Sequence, residues 1–215
     1  MHKPDEKSLE AKLEEELELV EGLLRRLRLS WLLRHFPARP VWAGFVCVNC
    51  FISIALLSLV AMLSGTPFVF PSLGPTAYVV FFTPRSPAAS PKHAVCGHLI
   101  GLICGYAALW ITGLVHASAV LVAGVDTPRL LAAAISLGAT GAIMILLNVG
   151  HPPAGATTLI VSLGFITTIW QLLVIEAAVV ALCLHAIVVN RLAGVDYPLW
   201  SPKKHPAPLP RPPAV

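Results

Sequence analysis

The chain has 215 residues, of which 56% are hydrophobic and 12% charged, with a formal net charge of +4. Soluble domains carry roughly 25% charged residues, so the composition excludes an ordinary soluble domain and indicates an integral membrane protein. Acidic charge is also segregated: Asp5, Glu6, Glu10, Glu14, Glu15, Glu16, Glu18 and Glu21 precede residue 22, and Asp126, Glu176 and Asp196 are the only acids after residue 40. The net positive charge therefore describes no one surface, and nucleic-acid binding is not indicated. No phosphate loop, paired zinc-ligand motif or dinucleotide fingerprint occurs, so no metal or cofactor is expected. The acidic start does not read as a secretory signal or a transit peptide. The five cysteines are an odd number in apolar surroundings and read as small buried hydrophobes, Cys47-x-x-Cys50 included.

Residues 5–36 have the pattern of one amphipathic helix. Leu13, Leu17, Val20, Leu24, Leu27 and Trp31 alternate spacings of four and three, a coiled-coil-like seam. An acidic first half gives way to Arg25, Arg26, Arg28, Arg34 and Arg39, which suits attachment to anionic headgroups or oligomerisation. Pro37 and Pro40 end the pattern. Val41–Leu63 is uncharged and long enough to span a bilayer. Residues 68–82 are apolar but interrupted by Pro71, Gly74 and Pro75, which fits a half-helix. A polar loop over 83–93 carries Arg85, Lys92 and His93. Ser90-Pro91 is a cap followed by Pro at the first helical position. Lys92 and His93 then fall in the first turn, where the helix dipole disfavours cations, so a nearby anion would suit them.

The next span runs over 94–115. Gly97, Gly101 and Gly105 form a bare strip for close helix packing, and His98 lies about 100° from it. After a loop over 116–128 with Asp126-Thr127-Pro128 as a helix start, residues 130–149 span again. Ala134, Gly138 and Ala142 form a second small-residue strip there. The string Asn148-Val149-Gly150-His151-Pro152-Pro153-Ala154-Gly155-Ala156-Thr157-Thr158 then breaks the helix, since proline removes a donor and clashes with the preceding turn. A short segment over 154–167 and a long span from 168 or 169 to 190 follow, and Glu176 is the one formal charge between Arg129 and Arg191. The Pro-rich remainder reads as disordered.

Pro71-x-x-Gly74-x-Thr76 matches Pro152-x-x-Gly155-x-Thr157, and each motif lies between two long spans. Paired Gly/Pro-broken segments point to a binding site at a repeat interface. If the short segments cross, the repeats are inverted and both termini share the side of loop 83–93, which the positive-inside rule favours. The fold expected is all-α and polytopic, with four long transmembrane helices and two half-helices in two repeats. An amphipathic helix over 1–39 precedes a transmembrane domain over 40–192, and a disordered tail covers 193–215.

A helix restarting near Gly155 presents N–H donors and a partial positive charge to an anion. Thr157, Thr158 and Asn148 add donors, His151 can titrate near neutrality, and Ser72, Gly74 and Thr76 offer the same roles in the first repeat. Pro152 and Pro153 open the gap. Glu176 is expected to face the bundle interior with a partner such as His98 or His151, so His151, Glu176 and His98 are candidates for proton coupling or gating. Arg85, Lys92 and His93 are candidates for attracting anions.

The string Asn148 to Thr157 resembles the signature of the HPP family of integral membrane proteins. Pro71-Ser72-Leu73-Gly74-Pro75-Thr76-Ala77, Ser86-Pro87-Ala88, Pro91-Lys92 and Gly97-His98 are similar to the family's first half, so the resemblance covers roughly residues 40–190. Pro75 stands where a small residue is expected. The resemblance implies a protein usually described with four transmembrane helices. It links some chloroplast and cyanobacterial members to nitrite transport, and other members to CBS domains for which the tail here is too short. The expected function is a non-enzymatic transporter or channel for a small monovalent anion, nitrite first. The expected location is a bacterial inner membrane with cytoplasmic termini, and the expected partners are lipids and further copies joined through the N-terminal helix or the glycine strips. A membrane enzyme using a His/Glu site, or a scaffold, are the alternatives. The enzyme reading lacks a ligand cluster or nucleophile–base pair, and the scaffold reading leaves the two polar breaks unexplained.

Overall fold

A computed structural model describes residues 28–204, all helix and loop. The helices are α1 (Leu29–His35), α2 (Ala38–Ser64), α3 (Leu73–Phe82), α4 (Pro91–Ile111), α5 (Val120–Ala123), α6 (Thr127–Leu146), α7 (Ala154–Ser162) and α8 (Ile169–Leu192), with a single 3₁₀ turn over Pro87–Ala89. Four of them, α2, α4, α6 and α8, are long and apolar enough to cross a membrane. At 1.5 Å per residue, α3 and α7 extend only about 15 Å, half of a roughly 30 Å hydrocarbon core.

Local chemistry sets most boundaries. The Ser90 hydroxyl accepts the His93 N–H, Asp126 accepts the Arg129 N–H, and Thr168 accepts the Gln171 N–H, so α4, α6 and α8 all begin at side-chain caps. The half-helices α3 and α7 have no side-chain cap. Their polar first turns are handled by the rest of the fold. Pro37 is the residue before α2 and Pro40 lies in its first turn, where a proline lacks nothing the helix needs. Of the amphipathic helix expected over 5–36, the described part is α1, with Leu29 and Leu33 buried; residues 1–27 lie outside the described residues.

Contacts at the helix ends fix the path of the chain. On one face of the bundle, the Lys92 N–H donates to the Trp200 carbonyl (3.1 Å), the Tyr197 hydroxyl donates to the Ala89 carbonyl, and Gly194 abuts Ser30. We call this the tail face. On the opposite face, the Arg129 guanidinium donates to the Ser162 (3.2 Å) and Ser118 (2.7 Å) carbonyls. Gly164, at φ +81°, makes room there, because a Cβ would lie 2.9 Å from Nη1 of Arg129. Helix α2 leaves the tail face, since Trp42 packs on Phe82 at its start, and residues 65–82 return to that face. Helix α4 leaves again and α6 returns, bringing the Gly150 carbonyl to Nδ1 of His93 (3.2 Å). Residues 147–163 then lead to the opposite face, and α8 comes back.

Part of the tail expected to be disordered is folded. Residues 193–204 fold onto the tail face, with Val195 and Tyr197 buried; burial pushes the Tyr197 phenol well above its ordinary pKa. Residues 205–215 lie outside the described residues.

The long–short–long order occurs twice, and the two units interlock. Helix α4 of the first packs on α6 and α7 of the second, while α8 of the second packs on α2 and α3 of the first. The α4–α7 contact runs along the glycine strip. A Cβ on Gly97 would lie 2.8 Å from Cβ of His151, one on Gly101 2.8 Å from the Ala154 carbonyl, and one on Gly105 2.8 Å from Cβ of Val161. Gly138 differs from expectation: it is exposed and has nothing within 4 Å of a built Cβ. The strip on α6 points away from the chain's own core. Asn148 is also exposed, at φ +52°. It terminates α6, with its N–H on the Ile145 carbonyl and the following Val149 N–H on Met144. Asparagine tolerates this left-handed geometry, so its identity is explained by the turn.

Gly101→Val will lower the melting temperature in detergent, a loss of about 1–3 kcal/mol from overpacking, while Gly138→Ala will leave it unchanged or higher. Asn148→Gly will be tolerated in the same melt, whereas Asn148→Val will cost about 1 kcal/mol by forcing a β-branched residue into the left-handed region. Equal melts for Gly and Val would refute the turn role.

Candidate functional site

The first turns of the two half-helices come together in the bundle. Ser72, Thr76, His98, Thr140, His151, Thr157 and Thr158 are each fully buried. His98 is the joint. Its Nε2 lies 2.9 Å from Oγ1 of Thr76 on α3, and its Nδ1 lies 2.6 Å from Oγ1 of Thr157 on α7. These two threonines occupy corresponding places in the repeated motifs, so one imidazole on α4 bridges equivalent residues of both half-helices. Gly97, the preceding residue, lets α4 come close enough to do so.

The polar chain continues from Thr76. Its Oγ1 is 3.3 Å from Nε2 of His151, and Nδ1 of His151 is 2.7 Å from the Ala88 carbonyl. The two imidazole centroids are 5.1 Å apart. A carbonyl can only accept, so Nδ1 of His151 carries a hydrogen. A neutral His151 ring then has an acceptor at Nε2, which Thr76 satisfies by donating. Thr76 in turn accepts from Nε2–H of His98, which leaves Nδ1 of His98 to accept from Thr157. One ordering of hydrogens therefore satisfies both rings: Thr157 donates to His98, His98 to Thr76, Thr76 to His151, and His151 to Ala88; the single Thr76 hydroxyl hydrogen is then turned from its other acceptor, the Ser72 carbonyl, which keeps the Thr76 N–H. Beside it, the Thr140 and Thr158 hydroxyls lie 3.0 Å apart and tie α6 to α7.

A cleft of about 590 Å³ opens next to this chain, lined by Gly74, Pro75, Tyr78 and Val79 of α3 and by Pro152, Pro153 and Ala156. The half-helices thus present their first turns to one space, but the donors differ from those the sequence implied. The Ala154, Gly155 and Ala156 N–H groups are engaged by the carbonyls of His151, Pro152 and Pro153 (3.0, 3.0 and 3.1 Å). On α3, Leu73 and Thr76 donate to Phe70 and Ser72, while the Gly74 N–H takes no backbone acceptor among the described residues. Gly155 serves packing, with Cδ1 of Leu137 3.3 Å from a built Cβ. Tyr78 was not anticipated. The signal was available, because Tyr78 follows Gly74 by four residues and so shares its helix face.

Several anticipated residues lie elsewhere. Both carboxylate oxygens of Glu176 are buried without a hydrogen-bond partner among the described residues, so the expected pairing with His98 or His151 is not made. Glu176 borders an apolar groove of about 640 Å³ between α4 and α8, with Leu99, Tyr106 and Trp110 on its wall. His93 is buried at the tail face, Lys92 is half-buried beside it, and Arg85 lies in the loop before α4. Ser72 is buried at the start of α3, its hydroxyl without a hydrogen-bond partner among the described residues, while its carbonyl, 2.9 Å from Oγ1 of Thr76, is the alternative acceptor for that hydroxyl.

Comparison with known proteins agrees with this architecture. The family model for the HPP transmembrane region matches residues 37–198. Two transmembrane proteins of Dictyostelium discoideum are similar, one 28% identical over 169 residues, covering 73% of this chain and 55% of the relative. The other is 32% identical over 121 residues, covering 54% of this chain and 36% of the relative. The chain thus spans about half or less of the length of these curated relatives. No solved structure matches. With the family match covering all four long helices and both half-helices, this chain is a multi-pass membrane protein that belongs to the HPP family.

Proposed function

We propose that the protein moves a small monovalent anion, nitrite first among them, across the membrane through the cleft between α3 and α7. The observation that carries this reading is the meeting of two half-helix N-termini without side-chain caps on one cleft in the wall of an apolar bundle. Each such terminus carries about half a positive charge, and together they attract an anion without placing a cationic side chain in the hydrocarbon. The Gly74 N–H and the Tyr78 hydroxyl are the donors nearest to hand, Pro152 and Pro153 keep the gap open, and the Thr–His chain behind them gives the wall its polarity. The glycine strip holds α4 against α7, so the anion-facing turns are set by rigid packing. Nitrite fits by size, charge and acceptor geometry, as nitrate and formate also do, and the nitrite link of the family raises it above them.

The two long–short–long units are read as inverted repeats. The tail face gathers Arg28, Arg34, Arg39, Arg85, Lys92, Arg191, Lys203 and Lys204, whereas the described charges at the opposite end are Asp126 and the buried Arg129. The positive-inside rule puts the tail face in the cytoplasm. The membrane we propose is the bacterial inner membrane, where the same rule applies. Because the glycine strip on α4 is occupied within the chain, self-association is assigned to the outward strip on α6 or to the N-terminal segment.

Proteoliposomes carrying the protein will take up nitrite faster than protein-free vesicles. Ala156→Trp, which fills the cleft, will cut that uptake by about tenfold or more while the protein stays monodisperse, in line with pockets that must be open to admit a ligand. Uptake unaffected by the tryptophan would remove the cleft from the pathway. In a cysteine-free background, Arg85→Cys will be labelled from the cytoplasmic side of sealed cells' membranes and His116→Cys from the outside. Labelling of both from one side would exclude inverted repeats.

A further inference from the structure

We propose that His98 takes up the proton that travels with the anion, so that transport is a one-to-one proton–anion symport with Thr157 as the hydroxyl switched by that proton. This rests on the transport reading above and concerns how it is driven.

The fate of its hydroxyl hydrogen separates Thr157 from the other buried threonines. Thr76, Thr140 and Thr158 each have the carbonyl four residues back as an acceptor: Ser72 at 2.9 Å, Ser136 at 2.8 Å and Ala154 at 3.1 Å. Such back-bonding is common for threonine in helices. Thr157 differs: the one hydrogen-bond partner of its hydroxyl among the described residues is Nδ1 of His98, at 2.6 Å. In the neutral chain the Thr157 hydrogen is spent on that nitrogen. Adding a proton to Nδ1 makes His98 a donor at both nitrogens. The Thr157 oxygen then accepts, and its own hydrogen is released with no acceptor in the described fold.

A proton on His151 does not have this consequence. Its Nε2 would donate to Thr76, but the displaced Thr76 hydrogen has the Ser72 carbonyl waiting for it. Protonating His151 rearranges bonds inside the protein, whereas protonating His98 leaves a hydroxyl hydrogen in need of an external acceptor. Thr157 is buried one residue beyond Ala156 of the cleft wall, so an anion that enters the cleft and parts that wall can accept the hydrogen. The charges also balance. One proton and one anion enter together, the buried site stays neutral, and the cost of an isolated charge in a dry interior is avoided. The proton leaves Nδ1 when the anion departs and the Thr157 hydrogen returns to that nitrogen.

The other titratable groups around His98 do not offer this switch. His151 precedes α7 and is held by Ala88, His93 on α4 itself donates to Gly150, and Glu176 on α8 lies in the separate groove with Leu99. Tyr78 on α3 faces the cleft, Arg129 on α6 is bonded at the far face, and α7 carries no titratable side chain.

The test is simultaneous measurement of nitrite uptake and lumenal pH in proteoliposomes, with the membrane potential clamped at zero and protein-free vesicles as background. The wild type should take in one proton per nitrite and accumulate nitrite down an imposed inward proton gradient. His98→Gln, which keeps a donor and an acceptor for the two threonines but cannot titrate, should still bind nitrite and lose the accumulation by about tenfold or more. Glu176→Gln, in the separate groove, should retain it. Thr157→Val should raise the KM for nitrite with the proton ratio unchanged, and Thr157→Ser should restore it. Wild-type nitrite flux with no accompanying proton, or His98→Gln still coupled one to one, overturns the symport assignment while leaving anion transport standing. An unchanged KM in Thr157→Val removes the switched hydroxyl. Wild-type vesicles no faster than protein-free ones remove the transport reading itself.

Discussion

A helix that stops halfway through an apolar layer leaves polar groups with no water to turn to. This fold contains two such helices, and their first turns are made tolerable by one imidazole. His98 bonds to the equivalent threonine of each, so the two half-helices are buried as a joined pair. A neutral imidazole has one donor and one acceptor on opposite edges, which is why it can bridge two hydroxyls that themselves both donate and accept. Lysine offers only donors and an ionised carboxylate only acceptors, so neither closes the chain through Thr76 to His151 with every member satisfied.

That bridge requires close approach, and the glycine strip provides it. At Gly101 and Gly105 the built Cβ positions meet backbone carbonyls of α7 at 2.8 and 2.9 Å, a separation no larger residue permits without moving the helix. The polar chain and the bare strip are thus one device seen from two sides. The capping pattern agrees with it. The far end of α7 is held by Arg129, a cation at a helix C-terminus where the dipole favours it, and near the end of α3 the Asn190 amide donates to the Val80 carbonyl.

Periodicity and punctuation made the scaffold readable from the sequence. The spans, the cap at Ser90-Pro91, the start at Asp126 and the paired breaks all depend on neighbours in the chain, and all lie close to where they were expected. The site was readable in its membership but not in its wiring. His98, Thr76, Thr157 and His151 could be nominated, yet nothing local says that His98 reaches across to two helices, 22 and 59 residues away in the chain. The same limit explains the misplacements. Asn148 reads as a polar donor until its φ is known, Gly138 as a contact within the chain until α6 is seen to turn it outward, and Glu176 as a partner for histidine until α8 is seen to turn it toward a groove. Tyr197 and the folded segment around it looked like disordered tail because proline content says nothing about a buried tyrosine bonded to Ala89.

The repeats are alike in backbone plan and unlike in chemistry, and the difference assigns them separate duties. Gly74 and Thr76 have counterparts in Gly155 and Thr157, but Ala77 corresponds to Thr158 and Phe81 to Ser162. Helix α3 beyond its first turn is therefore an apolar plug, with Phe81 packed edge-on to Phe45 and His185. Helix α7 is polar along its buried side, held by hydroxyl contacts to α6 and by Arg129. A hydroxyl-lined helix gains more alternative hydrogen-bond partners than an aromatic-packed one, and close-packed apolar surfaces resist graded movement. If the two half-helices part to admit an anion, the second repeat is the one whose bonds can be exchanged without opening a void, and His98 sits where that exchange begins.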